Sequence, residues 1–205
     1  QREGIECFSP KEAYFVKTTE QGVTIRAPTA NINHRGDTLG GINLTVKITA
    51  PAPEVIRVQV AHHLGVQAKL PEFDLTFAEG FKPEITENEE EVTVKSGSLA
   101  LRIDRKNWSM RYERDGKLLT TSAGRDLGYM RTGWTGFAYD NDPNGKAFMR
   151  QQLGLSVNEH VYGLGERFGA FIKNGQSVDI WNEDGGTSTD QSYKNIPFYL
   201  TDKGY

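Results

Sequence analysis

Carboxylates and aromatic rings crowd the last stretch of the chain, "DIWNEDGGTSTDQSYKNIPFYL", where Asp179, Glu183, Asp184 and Asp190 stand among Trp181, Tyr193 and Tyr199. Such a mixture suits a sugar. Ionised carboxylates accept hydrogen bonds from hydroxyls, and aromatic faces stack on the apolar faces of pyranose rings. The alternative is a polar loop with a satisfied acidic cap over core aromatics, and spacing by itself leaves both open. Within the stretch, the Gly185-Gly186 pair lets the backbone turn sharply. Thr187 and Ser188 carry hydroxyls that can close such a turn through local hydrogen bonds.

Other constellations carry less. "YGLGERFG" at 162–169 places Gly163 and Gly165 as a dinucleotide fingerprint does, but Phe168 occupies the third glycine's place. No helix follows to receive a pyrophosphate. A strand ending in a tight turn is the better expectation, with Glu166 and Arg167 paired across it. The histidines are His34, His62, His63 and His160. His62 and His63, adjacent in a strand, point to opposite faces and cannot share a metal while the strand stays regular. With Cys7 as the single cysteine, no metal site and no intrachain disulfide is expected. No motif for a serine or cysteine nucleophile is present, and nothing calls for a cofactor.

The elements that must position these residues are strands. "VTVKSGSLALRID" alternates Val92, Val94, Leu99, Leu101 and Ile103 around a turn at Ser96-Gly97, which reads as a hairpin. "SMRYERDGKLLT" repeats the device around Asp115-Gly116. "NLTVKIT" at 43–49 and "VIRVQVAH" at 55–62 form two more strands, and "AYFVKTTEQGVTIRA" a further pair. Residues 121–146 read as long connections with one strand near Gly128 to Arg131. No segment of ten residues carries helical spacing; a single turn after Phe168 is the nearest case. Some ten short strands predict an all-β antiparallel sandwich, two sheets packing to dry their inner faces. No internal linker is visible, so residues 1–205 read as one domain.

Bulk properties exclude several classes. The chain has 205 residues and a formal net charge of −3, with acids and bases interspersed. Nucleic-acid binding has no basic stripe to rest on. No apolar run reaches the roughly 18 residues that a membrane helix requires. "ENEEE" at 87–91 reads as a solvated turn. The start, "QREGIECFSP", shows neither a basic nor an apolar leader. With the lone cysteine this makes the cytoplasm the expected compartment, with secretion or the periplasm left open.

The region from "YGLGERF" through "WNEDGGTST" to "YKNIPFY" resembles the end of the N-terminal domain of glycoside hydrolase family 31, in its α-xylosidase branch. Thinner likeness extends upstream through "SPKE" and "KSGSLALRI". The resemblance implies a galactose-mutarotase-like supersandwich, followed by a (β/α)8 barrel that carries both catalytic aspartates. No catalytic residue is then expected within this chain, which reads as a fragment of a retaining α-glycosidase. In the branch the "WN-x-DGG" loop reaches the active-site mouth, and its aspartate, matched here by Asp184, lies near the aglycone-side subsite. Trp181, Asn182, Gly185 and Gly186 match as loop support. The implied partners are an α-xyloside or related oligosaccharide, the chain's own barrel and a homo-oligomer. Whether the parent takes xylosides or glucosides rests on barrel residues outside this chain. Competing expectations are a purely structural sandwich, a carbohydrate-binding one, which would present several exposed aromatics, and a mutarotase, which would pair a histidine base with a glutamate.

Overall fold

The computed structural model describes residues 4–39, 41–63, 78–133, 145–185 and 191–205. In chain order its strands are β1 (Ile5–Phe8), β2 (Phe15–Thr19), β3 (Gly22–Pro28), β4 (Asn43–Thr49), β5 (Arg57–Ala61), β6 (Glu84–Glu87) and β7 (Glu91–Ser96). There follow β8 (Leu99–Asp104), β9 (Ser109–Arg114), β10 (Lys117–Ser122), β11 (Leu127–Thr132), β12 (Ala147–Gln151), β13 (Val161–Gly165) and β14 (Asn195–Thr201). All ladders between these strands are antiparallel. Helix among the described residues is confined to one 3-10 turn, Arg35–Thr38, which His34 caps by accepting the Gly36 N–H at Nδ1. No helix among them is long and apolar enough to cross a membrane. The chain forms two compact units, Gln1–Gly154 and Leu155–Tyr205.

The first unit is an antiparallel β-sandwich. One sheet has the order β2-β3-β4-β5 and the other β10-β9-β8-β7-β6, with a three-stranded sheet β1-β11-β12 beside them. Alternation decides which side chains are buried. Val23, Ile25, Val46 and Ile48 from the four-stranded sheet meet Val92, Val94, Leu101 and Ile103 from the five-stranded one in a single apolar cluster. Trp108 and Met110 complete it, both fully buried. In the predicted hairpin, Val92 pairs with Ile103 and Val94 with Leu101, so each cross-strand pair presents two branched side chains to the same core.

Turn chemistry refines two expectations. The first hairpin turns at Gly97-Ser98, one residue later than the sequence suggests, because Ser96 stays in the ladder opposite Leu99. The Ser96 hydroxyl donates to the Ala52 carbonyl at 2.9 Å, while the Glu54 carboxylate accepts both the Ser98 N–H and its hydroxyl at 2.6 Å. In the second hairpin Asp115 and Gly116 both take positive φ (50° and 75°), as a two-residue turn matched to strand twist requires. The acidic run at 87–91 closes the β6–β7 hairpin, with Asn88 Oδ1 accepting the N–H groups of Glu90 and Glu91 at 2.8 Å. β11 falls where one strand was expected in the irregular stretch. β1, β6 and β12 were not foreseen. Each lies at a sheet edge and pairs on one side only, so it needs no strict alternation of apolar residues.

Candidate functional site

The second unit is built on the β13–β14 ladder, and its glycines are there for close backbone approach. Gly163 and Gly165 have φ of 106° and 91°, with Leu164 between them at 69°. The register slips between the two glycines, giving a bulge that bends β13. A Cβ on Gly163 would sit 2.7 Å from the Phe198 carbonyl oxygen, and one on Gly165 only 2.1 Å from that of Lys194. "YGLG" is therefore a bulge signal. The segment after Phe168, where a helical turn was expected, has no helix.

Asn195, the first residue of β14 and only 9% exposed, joins the segments that follow. Its side-chain amide donates to the carbonyls of Trp181 and Ser192, both at 2.6 Å, and its Oδ1 accepts from Arg167. Its backbone N–H donates to Asn182 Oδ1 at 2.9 Å. Arg167 also donates to the Asp179 carbonyl at 2.8 Å. Glu166, expected to pair with Arg167, has its carboxylate 2.9 Å from Lys194 Nζ, because β14 brings that lysine alongside the turn. An isolated parallel bridge joins Asn182 and Ser192, extended by the Glu183 N–H to the Ser192 carbonyl at 3.1 Å. The Ser192 hydroxyl donates to the Glu166 carbonyl.

These bonds hold the stretch 181–185 as an arm against 191–195. Glu183 is occupied within it, accepting from Gln191 Nε2 at 2.9 Å. Gly185 sits where a Cβ would lie 2.9 Å from the Gln191 carbonyl oxygen, so a bare backbone lets the two sides close. Asp184, between them, is exposed, and none of its carboxylate's partners lies among the described residues. Trp181 turns its ring outward, 71% exposed, while its carbonyl is tied to Asn195. Gly186, Thr187, Ser188 and Asp190 lie outside the described residues.

One carboxylate of this unit is buried, and its chemistry is not that of a general acid. Burial pushes the Glu159 carboxyl up, but the Tyr205 hydroxyl, the Ser156 N–H at 2.7 Å and Lys203 at 3.6 Å outweigh it and hold the group below the ordinary glutamate value. A proton donor needs the opposite displacement. Tyr199, also partly buried, is raised by that burial and by the Glu159 charge. His160 and Asp202 pair at 2.8 Å where the ladder ends, which depresses the Asp202 carboxyl. Among the described residues no three His, Cys, Asp or Glu side chains converge as a metal ion would require. Asn195 and Glu159 were not singled out from sequence, and Arg167 only as a partner for Glu166; an asparagine opening the strand "NIPFYLT" was the available signal, since asparagine is depleted in strands.

Comparison with known proteins agrees with this architecture. The model of the family described as the glycosyl hydrolase 31 N-terminal galactose mutarotase-like domain matches residues 45–205. An α-xylosidase, XylQ, of Lactiplantibacillus pentosus is 37% identical over 207 residues, covering 100% of this chain and 26% of the relative. An α-xylosidase of Emericella nidulans is 39% identical over 185 residues, covering 84% of this chain and 24% of its own length. The chain thus spans about a quarter of these relatives. Among solved structures, a cycloalternan-forming enzyme from Listeria monocytogenes, in complex with pentasaccharide substrate, superposes with a TM-score of 0.66 at 15% identity, over 96% of this chain and 17% of that one. A family 31 dextranase of Flavobacterium johnsoniae gives 0.61 at 19% identity, over 96% of this chain and 21% of that one. At such identities the likeness is one of fold.

Proposed function

The chain belongs to the glycosyl hydrolase 31 N-terminal galactose mutarotase-like domain family, and from that premise we propose that it is the non-catalytic N-terminal domain, residues 1–205, of a retaining α-xylosidase. The parent enzyme removes terminal α-xylosyl units from oligosaccharides. Its nucleophile and general acid, two carboxylates about 5 Å apart, belong to a barrel outside this chain. The α-xylosidase relatives at 37% and 39% identity support the substrate class.

The observation that carries the proposal is the arm at 181–185. Asn195 and Asn182 brace its backbone, and Asp184 is left outward with its oxygens accessible. Such a carboxylate accepts hydrogen bonds from the hydroxyls of the aglycone sugar. Packing on the barrel is supported by β14, where Ile196, Phe198 and Leu200 recur at alternate positions and are 54%, 62% and 46% exposed. A two-stranded ladder cannot dry such a row alone, and an apolar face of that kind suits a neighbouring domain.

The test is Asp184→Ala in the parent enzyme, assayed on a xylosyl-glucose disaccharide and on α-xylosyl fluoride. A charged hydrogen bond is worth about 1.5–3 kcal/mol, so kcat/KM on the disaccharide should fall roughly tenfold to a hundredfold. The fluoride, whose leaving group offers no hydroxyls, should be nearly unaffected. Equal losses on both substrates, or none on either, return Asp184 to an ordinary loop residue.

A second reading has its own support. The rings of Phe168, Phe171, Trp181 and Tyr193 are all exposed, as a carbohydrate-binding platform would have them. Binding of xylo-oligosaccharides by the isolated chain, abolished by Trp181→Ala, would favour it over the docking role.

A further inference from the structure

The outer face of the four-stranded sheet carries cations that have no ion-pair partner among the described residues. Lys17, Thr24, Lys47 and Gln59 line up as cross-strand neighbours in one row, with Thr49 and Arg57 in the next. Their apolar neighbours Val46, Ile48 and Val58 face the core, so alternation sends these six outward. Two adjoining depressions of about 480 and 250 Å³ share Lys47 and Thr49, and the larger is walled by Arg57, Phe81 and Lys82. Gly22, opposite Thr49, adds no side chain to this surface; a Cβ there would lie 2.1 Å from the Ile48 carbonyl oxygen. The row therefore dips at its middle.

Charge marks this face out within a chain of net charge −3. Among the described residues the one carboxylate lining either depression, Glu20, is already bound to Lys82 at 2.7 Å. Lys17, Lys47 and Arg57 form no ion pair among the described residues. On the five-stranded sheet the same protein does the reverse. There Arg102 contacts Glu91 and Glu113 at 2.7 and 2.9 Å, Arg111 lies 3.6 and 3.8 Å from the same two, and Lys95 meets Glu84 at 3.5 Å. Lys47 and Arg57 are diagonal neighbours on adjacent strands, and among the described residues no carboxylate pairs with either.

We propose that this groove binds a hydroxylated anion of monosaccharide size, a sugar bearing a phosphate or a carboxylate group. The larger depression is in the volume range of small-ligand sites. Lys47 and Arg57 supply the counter-charge, with lysine acting as a point charge and arginine as a planar fork. Thr49 and Gln59 both donate and accept, as sugar hydroxyls require, and Phe81 offers an apolar wall. The site stands on the first unit and does not depend on what the parent enzyme hydrolyses.

A heteronuclear NMR titration of the 205-residue chain tests it, using glucose 6-phosphate, glucuronate, inorganic phosphate and glucose. At least one of the two sugar anions should move the amides of Lys47, Thr49 and Arg57, and the tighter of them identifies the anionic group. Inorganic phosphate should bind more weakly than glucose 6-phosphate, and glucose should have no effect there. Lys47→Gln and Arg57→Gln should each weaken binding about tenfold or more, whereas Lys47→Arg should retain most of it. All are exposed positions, and the spectrum itself reports an intact fold. No response to either sugar anion, an equal response to glucose, phosphate binding as tight as glucose 6-phosphate, or unchanged affinity in both glutamine variants would overturn the proposal.

Discussion

Asn195 ties together stretches that are far apart in the chain, and its loss should be felt at the arm before anywhere else. Asn195→Ala removes two donors and an acceptor, takes from the Trp181 carbonyl its side-chain donor, and leaves the Ser192 carbonyl with the Glu183 N–H. An unsatisfied buried group costs about 1–3 kcal/mol. Hydrogen exchange should therefore accelerate at residues 182–185 and 192–195, with the amides of β7 and β8 unchanged; uniform protection across both would deny Asn195 its role. A second residue-scale expectation concerns His62. Its ring lies 4.2 Å from that of Tyr129, and burial first, then the charges of His63 and Arg131, push its imidazole below the ordinary value of 6.5. The folded state thus favours neutral imidazole, while the unfolded chain takes up the proton below about pH 6.5. Stability should fall as pH drops from that point towards the lowered value, and level off beneath it. His62→Phe should flatten this part of the profile in denaturant titrations; an unchanged slope would assign it to other groups. Asp184, Trp181 and Asn182 could be named as candidates because they sit in one contiguous motif. Glu159 and Asn195 could not, and Arg167 only as a partner for Glu166, because what they do depends on partners brought close only by the β13–β14 ladder.

At the scale of elements, the hairpins were readable wherever two alternating runs flank a glycine turn, as around Gly97 and Gly116. The edge strands β1, β6 and β12 escaped, since a strand with one neighbour and two accessible faces has no reason to alternate. Trp108 measures the sandwich core most directly. It is fully buried, and its indole N–H has no acceptor among the described residues. Trp108→Ala should cost about 3–5 kcal/mol. Trp108→Phe should cost far less, because the lost volume is offset by removal of a buried unsatisfied donor. Denaturant midpoints for the two variants check this, and equal losses would contradict it. The bulge in β13 gives a parallel case. Gly165→Ala forces a side chain into a φ of 91°, a strain of about 1–3 kcal/mol, before its Cβ meets the Lys194 carbonyl oxygen. The β13–β14 amides should lose protection, and full protection in the variant would contradict the close approach.

At the scale of the whole molecule, the first unit is a sandwich built around its own core, and the second carries an exposed apolar row on β14 that we propose packs on a neighbouring domain. Antiparallel sandwich architecture was legible from strand periodicity, and the family from one run of residues. Catalysis is proposed to lie in a barrel outside this chain. Among the described residues of the second unit the one buried carboxylate, Glu159, is held ionised by the Tyr205 hydroxyl, the Ser156 N–H and Lys203, and the bracing around Asp184 organises a loop. The most direct measurement is therefore the hydrolysis of an aryl α-xyloside, followed by NMR of the first sugar released, for the purified 205-residue chain and for its parent protein. The account predicts no turnover by the chain alone, because covalent and acid–base catalysis both require the pair of carboxylates that the proposal places in the barrel, and release of α-xylose by the parent. Turnover by the chain alone, or β-xylose as the parent's first product, would contradict it.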